Sequence, residues 1–246
     1  DKIREEMNKK KPLKYTHLPG PWFLALVGVI LAGAAGTWIE GAPPGRLKRF
    51  LFDLEPKPGA KLPPAPQPAK LGPGKAAQEQ HHLKRDLGLG HLFFPEGDQI
   101  GETAARVHVV PKPGEHKLPE CERWGRLVVD YRKMCDRTIE EPGLHTDSDE
   151  MTKWVCATLW RTLCDLVWGF NHLTVTRRAA ALLQMITSLG LIQPGVLPFG
   201  IHSGPTAMQR CVNSIFAKLI ETKEVKAFLD DCAACSDLAN AIKDPC

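Results

Sequence analysis

The sequence predicts an α+β chain in three parts: a single transmembrane helix, a Pro-rich extended linker, and a domain of mixed strands and helices. Three observations predict this. Leu18 to Ile39 runs twenty-two residues without a charge. Residues 56 to 75 hold seven prolines and four lysines with no periodicity. From residue 105 onward, short apolar runs alternate with turn residues and with helical spacing. The formal charge of +4 over 246 residues is mild and does not by itself argue for nucleic acid. All eight cysteines lie between Cys121 and Cys246, too sparse for a disulfide scaffold, and they read as free, mostly buried thiols.

Residues 1–17 are a polar lead-in with six Lys and Arg against three acids, which weakly biases the N-terminus to the cytosolic, matrix or stromal face. The chain starts at Asp1, as expected for a removed targeting segment or a fragment. As a helix rising about 1.5 Å per residue, residues 18–39 reach roughly 33 Å, enough to cross a hydrocarbon core of about 30 Å. Trp22, Phe23 and Trp38 stand near its ends, where amphipathic rings favour the membrane–water interface. Ala25, Gly28, Ala32 and Gly36 share one helical face, a small-residue stripe that suits close packing against another transmembrane helix.

Residues 40–55 read as a short interfacial amphipathic helix, with Leu47, Phe50, Leu51 and Leu54 on one side and charges on the other. Residues 56–104 are expected to form a linker and irregular arm. Proline-rich chain prefers an unbonded conformation of about 3.1 Å per residue, suited to a spacer or to lying along a partner. His81, His82 and His91 have no Cys or acid at ligand spacing and read as surface histidines.

Residues 105–246 carry the chemistry. RVHVVPKPG and RLVVDYRK read as two strands joined by a turn-rich loop. Asp165 ends a later apolar stretch. Pro198 to Leu219 reads as a Gly/Pro turn running into a helix with Met208, Val212, Ile215, Phe216 and Leu219 on its apolar face. VKAFL then ends in Asp230 and Asp231. One carboxylate on one strand and two adjacent on another suit a two-metal nucleotidyl-transfer site, where divalent ions about 4 Å apart need hard oxygen ligands. If Cys232 to Cys235 continue as a strand, the two thiols point to opposite faces, which is wrong for chelation.

Four of these stretches, in order over residues 105–235, resemble the fingers and palm of reverse transcriptases from gypsy-type LTR retroelements. RLVVDYRKMCDRT resembles the fingers motif and DLVWGFNH the first palm motif. LPFGIHSGPTAMQR resembles the template segment, and AFLDD the aromatic-x-Asp-Asp motif. The resemblance implies metal ligation by Asp165, Asp230 and Asp231. It implies Arg126 facing the incoming triphosphate and Phe170 as the aromatic gate against a 2′-hydroxyl. It also implies Phe199, Gly200 and Gln209 along the template and nucleotide pocket. Several positions depart from the family: Cys135 for Asn, Phe228 for Tyr, Leu182-Leu183-Gln184 for Lys-Thr-Ala, and no Tyr-Pro-Leu-Pro pattern after the fingers. Fifteen residues follow Asp231, so the thumb, primer grip, RNase H and integrase regions are expected to be missing. Such a truncated palm is open to partial disorder.

An anchor and a palm pull in different directions. The favoured expectation is a single-pass accessory subunit of a larger membrane complex, of the respiratory or photosynthetic organellar kind, in an organelle inner membrane or thylakoid. Its partners would be the membrane and other transmembrane subunits, with no cofactor and with the retroelement-derived domain non-catalytic. The alternative is an RNA-directed DNA polymerase, or a fragment of one, using two Mg²⁺ ions at the Asp triad and binding nucleic acid.

Overall fold

The structure, a computed structural model, describes residues 45–236 apart from 48–49, 120–123, 144–146, 158–159 and 167. The chain divides into two units, residues 1–43 and 44–246. The expected span at 18–39, with Ala25, Gly28, Ala32 and Gly36, lies outside the described residues.

The elements run β1 (Leu51–Phe52), α1 (Pro73–Gly88), β2 (Leu92–Phe93), β3 (Ala105–Val110), β4 (Arg126–Asp130), α2 (Arg132–Cys135), α3 (Ser148–Ala157) and β5 (Trp160–Asp165). They continue with β6 (Thr174–Val175), α4 (Arg177–Leu182), β7 (Met185–Thr187), β8 (Gly190–Pro194), α5 (Gly204–Ile215), α6 (Ala217–Glu221), β9 (Val225–Phe228) and β10 (Asp231–Ser236). Three sheets result. Five strands run in the order β2-β8-β7-β3-β4, three in the order β5-β10-β9, and β1 pairs in parallel with β6.

The α+β part of the expected fold class stands, and the transmembrane part is corrected. No helix among the described residues is long and apolar enough to cross a membrane. The stretch that was to follow the span at the interface is also different. Among its described residues there is strand β1 rather than a helix, with Phe52 and Leu54 each 2% exposed and Leu47 and Phe50 against the same core. Those side chains face protein, not lipid.

The Pro-rich stretch is extended, as its composition dictates, but it lies along its own domain. Pro56 bridges to Thr138, the Lys57 N–H donates to the Arg137 carbonyl at 2.8 Å, Leu62 packs on the core, and Arg106 Nη2 donates to the Gln67 carbonyl at 3.3 Å. Helix α1 follows it. Pro73 opens α1 where a missing N–H costs nothing, and its buried face is mostly polar: Gln78, Glu79, His82 and Leu83. Glu79 accepts from the Ser188 N–H at 2.9 Å, and His82 Nε2 lies 2.7 Å from the Trp124 carbonyl. A hydrophobic pattern could not reveal this helix, because three of its four buried side chains are polar.

The main core gathers Phe52, Leu54, Tyr131, Leu183, Leu197, Met208 and Val212, and a smaller one gathers Leu83, Val107, Met185 and Ile192. Tyr131 is 1% exposed and its hydroxyl donates to the Leu183 carbonyl at 2.7 Å. Burial pushes its phenol well above the usual range, so it stays a neutral donor. Two buried amides close the second core. Gln184 donates to the Gly101 and Thr103 carbonyls at 2.7 and 2.5 Å, and Gln193 donates to the Gln99 carbonyl at 2.6 Å.

Two stability predictions follow from these contacts. Tyr131→Phe leaves the Leu183 carbonyl buried without its partner and should lower the unfolding free energy by about 1–3 kcal/mol in urea titration. Asp53 joins β1 to β6 and α4. Partial burial pushes its carboxyl up, and this is outweighed by hydrogen bonds from Arg178, Thr176 (2.6 Å) and the Leu54 N–H (2.9 Å), so its pKa lies below the usual value. Its contribution is therefore present above the ordinary carboxylate pKa and lost as pH falls through the lowered value. Asp53→Asn should flatten the stability–pH curve on the acid side, by at most about 1 kcal/mol because the pair is solvent-screened.

Candidate active site

Strand β10 is central in the three-stranded sheet, antiparallel to both β5 and β9. Its first residue, Asp231, stands directly opposite Asp165, the last residue of β5. The Leu166 N–H donates to the Asp230 carbonyl at 2.8 Å, which makes 166/230 a hydrogen-bonded pair and 165/231 the non-bonded pair beside it. Non-bonded pairs are the narrow ones, with Cα atoms about 4.5 Å apart and side chains on the same face. The fold thus brings two carboxylates together from positions 66 residues apart in sequence.

Asp230 sits in the two-residue turn between β9 and β10. Leu229, the other turn residue, has φ +55°, unusual for a branched apolar side chain and a sign of local strain. Gln209 on α5 supports that turn. It is 1% exposed, its Oε1 accepts from the Leu229 N–H at 2.8 Å, and its Nε2 donates to the Ala227 carbonyl at 3.0 Å. The expectation that Gln209 lies along the template is therefore replaced by a buried role, fixing the acidic hairpin to the helix beneath. Gly169 supports it from the other side. A Cβ there would come within 3.0 Å of the Asp230 Cβ and 2.9 Å of Met208 Cε.

Among the described residues, no ion pair or side-chain hydrogen bond engages Asp165, Asp230 or Asp231. Two like charges opposite each other repel, and a bound cation relieves that. The hard oxygen donors suit a divalent ion such as Mg²⁺. No group of three or more His, Cys, Asp or Glu among the described residues stands close enough to hold a metal. The fit is thus to a carboxylate pair with Asp230 one turn residue away, rather than to a closed triad.

A cleft of about 550 Å³ contains the other expected residues: Arg126, Phe199 and Gly200 line it together. Arg126 projects from the exposed edge of the five-stranded sheet, and Lys112 adds positive charge, while Arg85 is paired with Asp86 at 2.8 Å. Phe199 is 67% exposed, and its ring lies 5.0 Å from that of Phe170 at 39°. Gly204 leaves room for Phe170, since a Cβ there would be 3.4 Å from its ring.

Trp168 and Asn171, not singled out in the sequence, line the same cleft, as does His91, which is 5% exposed and not the surface histidine expected. Trp168 has φ +59° and turns an exposed indole toward it, with the His91 ring 5.5 Å away edge-on. His91 Nδ1 lies 3.2 Å from Asn171 Nδ2, while its Nε2 is buried without a partner among the described residues. Burial, first of all, pushes the His91 pKa down, and Asp86 only partly opposes this, so the ring is neutral near pH 7. The Trp in DLVWGF was a signal the sequence contained. The contact of His91 with it, 77 residues away, was not.

No family model matches the chain. The Retrovirus-related Pol polyprotein from transposon 297 of Drosophila melanogaster is 29% identical over 106 residues, which is 43% of this chain and 10% of that protein. Among solved structures, the protease-reverse transcriptase of Prototype Foamy Virus superposes with a TM-score of 0.72 at 20% identity, over 98% of this chain and 31% of that one. The foamy viral enzyme in complex with an RNA/DNA hybrid gives 0.68 at 15% identity, over 96% of this chain and 32% of that one. Its complex with double-stranded DNA gives 0.64 at 16% identity, over 98% and 44%. The chain spans about a tenth of the curated relative and about a third of the first of these solved chains.

These matches correct the favoured expectation from sequence. The Pol polyprotein match over 106 residues and the fold likeness to a protease-reverse transcriptase over 98% of the chain stand against the reading as a single-pass accessory subunit of a membrane complex. The placement in an organelle inner membrane or thylakoid, the transmembrane partner subunits, and the electron-transport and photosynthetic roles fall with it. The chain carries a reverse-transcriptase-like domain.

Proposed function

We propose that this domain catalyses template-directed nucleotidyl transfer, extending a primer 3′-hydroxyl with DNA along a nucleic-acid template. The observation that carries the reading is the narrow Asp165–Asp231 pair with no protein cation against it among the described residues. The Asp165–Asp231 pair would hold the divalent ions, Mg²⁺ by donor chemistry, with Asp230 completing the set from the adjoining turn once an ion is bound. Bound there, such ions stabilise the charge that develops as the phosphoryl group is transferred. Arg126 supplies a forked guanidinium suited to phosphate oxygens in the cleft. The Phe170–Phe199 pair provides an apolar wall against the sugar, where Phe170 would exclude a 2′-hydroxyl. Gln209 and Gly169 hold the hairpin so that the acids need little reorganisation during reaction. The foamy viral structures held with an RNA/DNA hybrid and with double-stranded DNA support nucleic acid as the partner class.

The test is primer extension on an RNA and on a DNA template, with purified full-length chain. Extension should require Mg²⁺ or Mn²⁺, stop on chelation, and fall on the order of a hundredfold or more in Asp165→Asn while the fold is retained. Binding of duplex without any extension at either metal would overturn the catalytic reading.

Gly169→Ala tests the support of the turn. Met208 has a flexible end that can move from the added methyl, but the Asp230 Cβ cannot move without shifting the hairpin. The variant should lose about 1–3 kcal/mol of stability from overpacking, and its extension rate should fall by up to about a hundredfold. Denaturant titration and single-turnover extension separate the two effects.

A further inference from the structure

Directly behind the acid pair stands a second cross-strand pair. Cys164 on β5 lies opposite Cys232 on β10. Side chains alternate along a strand, so both thiols point to the face of the sheet opposite to that of Asp165 and Asp231. By the same alternation of bonding, 164/232 is a hydrogen-bonded pair, where Cα atoms stand about 5.5 Å apart, inside the range of about 4.4–6.8 Å that disulfides span. We infer that Cys164 and Cys232 form a redox-active dithiol that closes to a disulfide between the strand carrying Asp165 and the strand carrying Asp231.

The two thiols differ in exposure. Cys164 is exposed, on a strand that pairs with β10 alone among the described residues and that also presents Leu163 at 68% exposure. Cys232 is 8% exposed, in the main core. Cys164 is therefore the residue a soluble oxidant meets first, and Cys232 is the resolving partner. Two other described cysteines differ from this pair in placement. Cys235 faces Arg161 across the sheet and lies three residues from Cys232, hence on the opposite face, and Cys211 is buried on α5.

The oxidant is a small-molecule disulfide. The Cys164 sulfur attacks one of its sulfurs, forming a mixed disulfide and releasing one small thiol. The Cys232 sulfur then attacks the Cys164 sulfur and releases the second. Two protein S–H bonds are lost and two small-molecule S–H bonds are gained, so the dithiol is oxidised by two electrons as the oxidant is reduced. Side chains at a hydrogen-bonded pair start about 5.5 Å apart at Cβ, farther than a relaxed disulfide spans, so β5 must draw toward β10. A bond closed in that way is readily reduced again. The inference rests on strand register and exposure and stands whether or not the acid pair polymerises.

The experiment exposes the folded full-length chain to oxidised glutathione and reads intact mass and tryptic peptides. The expected result is loss of two hydrogens, reversed by dithiothreitol. Peptides 162–177 and 227–243 should be joined, with fragmentation placing the link at Cys232. The joined species should disappear in Cys164→Ser, a change at an exposed site, and persist in Cys235→Ser. A glutathione adduct that stays on Cys164 with no internal link would overturn the proposal, as would a link through Cys235, or no reaction at Cys164.

Discussion

One register decides where the chemistry of this molecule sits: that of β10 against β5. Because side chains alternate with a period of two, a slip of one residue would turn every side chain of β10 to the other face. The acids would no longer meet, and Ala233, fully buried, would be exchanged for a neighbour that is not. Nothing in the short β5 fixes that register by itself. It is fixed from β9, where the two-residue turn admits one pairing, and from α5, where Gln209 binds the backbone of β9 at Ala227 and of the turn at Leu229. A buried amide bound at both ends tolerates no sliding, since any shift leaves polar groups unpaired in the interior.

The same device recurs away from the acids. Gln184 and Gln193 bind the loop around Gly101 to strands β7 and β8, and Gly101 is tight enough that a Cβ would come within 2.3 Å of the Ala181 carbonyl. Three fully buried glutamines in one small domain make the interior directional as well as apolar. Apolar contacts alone would accept several packings of similar energy; these amides accept one.

Much of this was legible in the sequence. The strands at 105–110 and 126–130, the helix after Ser203 and the strand before Asp230 follow from alternation, turn residues and helical spacing. The acids were identified by their motifs, and the pairing of β5 with β10 brought two of them together. Arg126, Phe199 and Gly200 do share a cleft. What could not be read was whatever depends on long-range polar contacts: the docking of α1 through Glu79 and His82, the buried position of Gln209, and the His91–Trp168 contact. The departure at Leu182-Leu183-Gln184 also gains its reason only in three dimensions, as two core side chains followed by a buried tie.

The Pro-rich stretch has a consequence for how such a chain can vary over time. A free spacer tolerates insertions, because loop closure costs rise only slowly with length. Residues 56–67 are pinned at both ends and in the middle: Pro56 at Thr138, Leu62 on the core, Gln67 at Arg106. Their prolines hold that path with little entropy left to lose on folding. A residue added anywhere between those points puts the remainder out of step with its anchors. Low complexity here is no licence for drift in length: the composition of this strap can change more freely than its residue count.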